Sequence, residues 1–302
     1  MNLLQAQVQS VMDEVEEIES RQSPSGRIVF EAIALEGVQE LERSSAALGW
    51  SGLAAGLSMG FSMISEGLLA SYLPDTTWRP LIAKLGYSVG FVVVVLGRQQ
   101  LFTENTLTPI LPLLKHRSGR MFANVMRLWG IVLIANLLGA LAVGAAAINT
   151  TAFEPAVRHG FVEMGRSALE HGFLTAFVRA IFAGWLIALM VWLLPFAESA
   201  RVGVIVLITY VVGIGNFGHI IAGSVEVFAL AAGGYAGWWE VLSRFVLPTL
   251  LGNIVGGVLL VAMLNYAQIV AGEPPEPEGR SASGPSRSSL KARSRRASTA
   301  NR

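Results

Sequence analysis

No cysteine occurs among the 302 residues. Disulfides, thiolate metal sites and thiol nucleophiles are therefore excluded. Charge is also scarce. Asp, Glu, Lys and Arg make up 14% of the chain, against about 25% in a soluble domain. No H-E-x-x-H, Gly-rich phosphate loop or carboxylate cluster with metal spacing appears, so no cofactor or metal site is expected. The net charge of +1 points to no nucleic-acid partner. The N-terminus is not read as a signal peptide. Asp13, Glu14, Glu16, Glu17 and Glu19 stand where a basic stretch and an apolar core belong.

What is abundant is apolar surface. Hydrophobic residues form 53% of the chain and mean hydropathy is +0.54. Six apolar runs are long enough to cross a hydrocarbon core of about 30 Å at about 1.5 Å per residue. They cover residues 48–73, 84–101, 122–148, 173–196, 202–232 and 239–270. The expected architecture is an all-α membrane domain over 47–271, preceded by a cytoplasmic helical arm (1–46) and followed by a disordered basic tail (272–302). In the arm, residues 11–20 read as an acidic helix. Ile28, Ala32, Leu35, Val38 and Leu41 recur near helical period, so this segment lies on the membrane face or packs against the bundle. Lys115, Arg117, Arg120 and Arg127, with the arginines of the tail, place both termini in the cytoplasm by the positive-inside rule. The tail's basic end offers contact with anionic membrane lipid.

Two runs are interrupted. GIGNFGHIIAGSVEVF (213–228) breaks the fifth with three glycines, Asn216 and His219. LFTENTLTPIL (101–111) breaks the second with Thr103, Glu104, Asn105, Thr106, Thr108 and Pro109. Broken backbone in a membrane is tolerated where it is buried in protein or lines a cavity. It marks binding sites in transporters built from inverted repeats. ANLLGALAVGA in the third run and GNIVGGVLLVA in the sixth place Asn136 and Asn253 117 residues apart. The same offset carries Phe102 onto His219. The halves are read as duplicates of three spans each, facing opposite ways, with both breaks near the midplane. His219 is the candidate proton-passing residue, since imidazole titrates near neutrality. Phe102 reads as a constriction or a packing residue, and Thr103 and Glu104 as pore groups or structural caps.

GRQQLFTENTLTPIL, NFGHIIAGSVEVF and LLGNIVGGVLLVAMLNY together resemble the formate/nitrite transporter family, and more closely its divergent YfdC-type inner-membrane branch. The resemblance covers roughly residues 46–271. It implies an aquaporin-like fold, a homopentamer with one pore per protomer, and transport of small monovalent anions or their weak acids, often proton-coupled, in the bacterial inner membrane. By position, Leu101, Phe102 and Thr103 are then the loop of the broken second helix and His219 the central pore histidine, with Asn216 and Gly223 along the path. Three positions depart from the family pattern. Gly223 stands where Asn is usual, Ala168 where a lysine near the start of the fourth helix is usual, and Gly184 where an Asn within that helix is usual. Charges lie within the apolar runs instead. Glu66, Arg98, Arg179 and Glu226 are expected to form an internal ion-pair network, because each costs about 2.5 to 3.5 kcal/mol against lipid.

Two other classes compete. One is a non-transporting scaffold with a closed pore. The other is an intramembrane serine protease, since GLSMG (56–60) fits G-x-S-x-G at Ser58 with His219 as a distant base. That motif needs a strained turn, whereas glycine every fourth residue here fits a packed helix.

Overall fold

The computed structural model describes residues 24–272 and Met12. Most of the acidic stretch at 11–20 and nearly all of the basic tail lie outside the described residues. Those described form helices α1 (Gly26–Glu42), α2 (Ser45–Tyr72), α3 (Arg79–Leu96), α4 (Ile110–His116) and α5 (Gly119–Asn149). They continue with α6 (Pro155–Leu169), α7 (Phe173–Phe196), α8 (Arg201–Ile214), α9 (Ile220–Ala232) and α10 (Trp238–Ala271). Five are long and apolar enough to cross a membrane: α2, α3, α5, α7 and α10. The expected fifth span is split into α8 and α9.

Local chemistry sets the helix ends. Ser44 and Ser118 accept the amides of Ala47 (3.2 Å) and Met121 (3.1 Å), filling N-cap positions. Pro155 opens α6, where its missing N–H is no loss. This amphipathic helix was not expected. Its stripe of Val157, Phe161, Val162 and Leu169 is buried, and it packs on α9.

Two helix pairs form the core, α2 against α5 and α7 against α10. Both close on an Asn-x-x-Gly turn. A Cβ added at Gly56 would sit 2.2 Å from the Asn136 carbonyl oxygen, and one at Gly184 would sit 2.3 Å from that of Asn253. Only a bare backbone admits such approach, the small-residue packing that membrane helices use. It also accounts for Gly184: a side chain there has no room.

Helix α1 packs against the bundle rather than lying apart from it. Its buried face is Phe30, Ile33, Ala34, Gly37 and Leu41, while Ile28 and Leu35 are exposed. The expected stripe was thus turned, because Gly37 must face the chain: a Cβ there would lie 2.0 Å from the Thr108 carbonyl oxygen. Glu40 anchors this contact. It accepts from Thr108 Oγ1 (2.6 Å) and Gln100 Nε2 (3.0 Å). Burial raises its pKa above the ordinary carboxylate value, the two hydrogen bonds pull it down, and Glu36 adds to the rise. A carboxyl whose folded pKa is raised adds stability at low pH that is lost as pH climbs through that value. Hydrogen exchange should therefore show α1 amides better protected at pH 5 than at pH 8. Glu40→Gln should remove that difference while keeping α1 docked.

Candidate functional site

The site forms where the two breaks meet. The first starts as α3 ends. Gly97 N–H donates to Val93 O (2.9 Å) and Gln99 N–H to Val94 O (3.0 Å), with Arg98 left-handed at φ 50°. The second repeats this at the end of α8. Gly215 N–H donates to Val211 O and Phe217 N–H to Val212 O, both at 3.0 Å, with Asn216 at φ 47°. Asparagine tolerates this conformation better than arginine does.

One buried asparagine satisfies each broken backbone. Asn136 accepts from Phe102 N–H (2.9 Å) and donates to Gly52 O (2.7 Å) and Gln100 O (2.9 Å). Asn253 accepts from Ile220 N–H (2.8 Å) and donates to Ala180 O and Gly218 O, both at 2.8 Å. These contacts satisfy backbone groups that the breaks leave without helical partners. The equivalence of the breaks is corrected by one residue. The asparagines are 117 apart, but Phe102 matches Ile220 and Arg98 matches Asn216, each 118 apart. The first half carries one extra residue between break and asparagine, so Leu101, not Phe102, is the counterpart of His219.

His219 and Thr103 join the breaks. His219 Nδ1 accepts the Ala222 amide at 3.1 Å, capping α9, and Nε2 lies 2.7 Å from Thr103 Oγ1. A backbone amide can only donate, so Nδ1 is the acceptor and Nε2 carries the hydrogen toward Thr103. The ring edge meets Phe91 at 4.9 Å. Leu101, Phe102, Thr103 and His219 are all buried. Phe102 packs edge-on against Trp129, whose Nε1 donates to Asn105 O at 2.8 Å.

Two cavities reach the neighbourhood of this contact, one at His219 and one at Glu104, the residue after Thr103. One, about 320 Å³, is lined by His219, Asn216, Gly223, Glu226, Arg179 and Lys84, among others. The other, about 700 Å³, holds Glu104, Gln100, Glu40, Arg98 and Arg201. They share no lining residue. Glu104 Oε1 is buried without a partner among the described residues.

The expected ion-pair network is not what forms. Glu66 pairs with Lys84 at 2.6 Å. Lys84, read from sequence as the start of a span, lies in a turn within α3 beside α2. Arg179 contacts His171, not a glutamate. Arg98 is exposed and reaches Glu36 at 3.9 Å, because α3 has ended before it. Glu226 lines the smaller cavity with no ion pair among the described residues. Ala168 also differs from expectation: it belongs to α6, and lines that cavity from there. Ser58 lies inside the continuous helix α2, without the turn a nucleophile elbow requires. Among the described residues no group of three His, Asp or Glu is placed to hold a metal ion.

Gly223 faces Phe245. A Cβ there would lie 2.3 Å from the ring. Gly223→Asn alone is therefore expected to destabilise by about 1–3 kcal/mol through overpacking. Gly223→Asn with Phe245→Ala should recover most of that in a thermal-melt double-mutant cycle.

A paired-break helical bundle with two cavities near a buried Thr103–His219 contact defines a membrane transport protein rather than an enzyme. Residues 27–267 match the family described as Formate/nitrite transporter, and the chain belongs to it. It is 40% identical over 254 residues to the "Inner membrane protein YfdC" of Escherichia coli (strain K12), covering 84% of this chain and 82% of that one. The fold matches a solved "Pentameric formate channel with formate bound" with TM-score 0.64 at 22% identity, over 75% of this chain and 98% of the other. A solved "FNT family ion channel" matches with TM-score 0.69 at 17% identity, over 80% and 99%.

Proposed function

We propose that this chain is a channel or transporter for small monovalent anions or their weak acids, with the conduction path through the Thr103–His219 contact. The observation that carries the reading is that contact: one polar hydrogen bond near two cavities, flanked by Leu101 and Phe102. A bare anion crossing such an apolar point loses its hydration at great cost, while the neutral acid does not. The Nε2–H of His219 is placed to donate a hydrogen bond to an anion that displaces the Thr103 hydroxyl, and its proton passes on only when Nδ1 takes up another in exchange. Glu104, Asn216 and Gly223 then line the approaches.

The paired breaks support a six-span, aquaporin-like inverted repeat, with α8 and α9 as the broken fifth span and residues 97–109 as the break after the second. The formate channel's pentameric state supports a homopentamer. The YfdC relative supports an inner-membrane location, and the loop charges support cytoplasmic termini. The test is flux into proteoliposomes loaded with a pH dye and challenged with formate, nitrite, acetate or hydrosulfide. Anion-dependent acidification above empty liposomes is expected. No flux from folded protein would replace this reading with a closed scaffold.

A further inference from the structure

The smaller cavity holds an unused hydrogen-bond donor. Thr249 is 1% exposed, its Oγ1 has no partner among the described residues, and it lines the cavity next to Gly218, at the break beside His219. A threonine in a helix ordinarily bonds the carbonyl four residues back, as Thr209 does to Ile205 at 2.7 Å. Thr249 follows the π-turn Leu242–Val246 and Pro248 and makes no such bond. Its hydroxyl is left for something in the cavity.

Arg179 stands close by. Ala180, the next residue, accepts from Asn253 at 2.8 Å, and Asn253 lies one turn beyond Thr249. Among the described residues no carboxylate pairs with Arg179, whose contact with His171 occupies one of five guanidinium donors. Of the two acidic residues lining this cavity, Glu226 makes no ion pair among the described residues. Lys84 bonds Glu66 and is within electrostatic reach of Glu226, and Glu163 pairs with Arg166 at 2.8 Å. Beyond the polar end the wall is apolar, with Phe245 seated over Gly223 and Met164, Ala168 and Val212 alongside.

We propose that Thr249 and Arg179 form a carboxylate-docking subsite ahead of His219, and that the Phe245 wall beside it favours monocarboxylates with a short alkyl tail over formate. The proposal rests on the anion-transport reading and names the substrate class it selects. A cavity of about 320 Å³ exceeds what formate fills. The Phe245–Gly223 contact takes the place of a polar side chain with an apolar face.

The test is titration of purified full-length protein in detergent with formate, acetate, propionate and butyrate, alongside the flux assay. Each added methylene should tighten binding about fourfold. Thr249→Val, nearly isosteric, should weaken every carboxylate roughly tenfold, as for a lost hydrogen bond to a charged group, with unchanged melting in the absence of ligand. Arg179→Gln should do the same, and Thr249→Ser should restore binding. Affinity that is flat or falls with chain length, or that ignores Thr249→Val, overturns the subsite even where flux persists. Length-dependent binding without flux upholds the subsite and overturns the transport reading instead.

Discussion

His219→Phe is expected to abolish anion-dependent acidification of proteoliposomes. The substitution removes two functions at once, and they are separable. The ring nitrogen Nδ1 caps α9 by accepting the Ala222 amide. Losing an N-cap costs about 1 kcal/mol, so His219→Phe should also melt earlier. His219→Asn keeps a capping acceptor, since asparagine is among the best N-caps, but supplies no titratable hydrogen. It should melt like wild type and still lose acidification. If His219→Asn acidifies the lumen as wild type does, proton delivery by His219 is wrong. Thr103→Val is the companion. It removes the partner of Nε2 but leaves the imidazole, so some flux should remain, with a shifted pH profile.

Asn253→Ala is expected to have the largest effect on stability. Three hydrogen bonds, at 2.8 Å each, tie this one side chain to α7, to Gly218 and to the first turn of α9. Interhelical hydrogen bonds in membrane proteins average about 0.6 kcal/mol, so their loss alone removes about 2 kcal/mol. The stranded Ile220 N–H and Gly218 O, deep in the protein, add to this. Asn253→Asp accepts from Ile220 but cannot donate, and should fall between wild type and Ala. Asn136→Ala should behave alike for the first break. The measurements are thermal melting in detergent and amide exchange at residues 215–222. Melting within a degree of wild type would mean the asparagine does not hold the break.

Much of this site was legible because lipid is an unforgiving solvent. Glycines and polar groups inside an apolar run have few physical explanations, so residues 101–109 and 213–219 stood out as breaks. Asn136 and Asn253 stood out because the small-residue runs around them, 135–145 and 252–262, align at one offset. What stayed hidden depended on which face or partner tertiary contact selects. The stripe near helical period in α1 is not the face turned inward, because the close approach of Gly37 to Thr108 fixes another. Lys84 stands at the edge of an apolar run, where nothing in the sequence marks it, rather than Arg179, as the partner of Glu66. The stripe of Val157, Phe161 and Leu169 in α6 has helical spacing, but the helix is only 15 residues long and polar on its other face, so hydropathy does not mark it. Thr249 carries no sequence mark at all, because only an unmet hydrogen bond distinguishes it.

The mismatch between the two breaks at equivalent positions bears on direction. Two identical halves would present the same chemistry from either face of a membrane. Here Leu101, a hydrocarbon side chain, stands where the other half carries the imidazole of His219. The cavity that holds Arg179 is lined by His219, whereas Leu101 lines neither cavity. A path through this point is expected to rectify: influx and efflux of a weak acid under equal and opposite gradients should differ in rate.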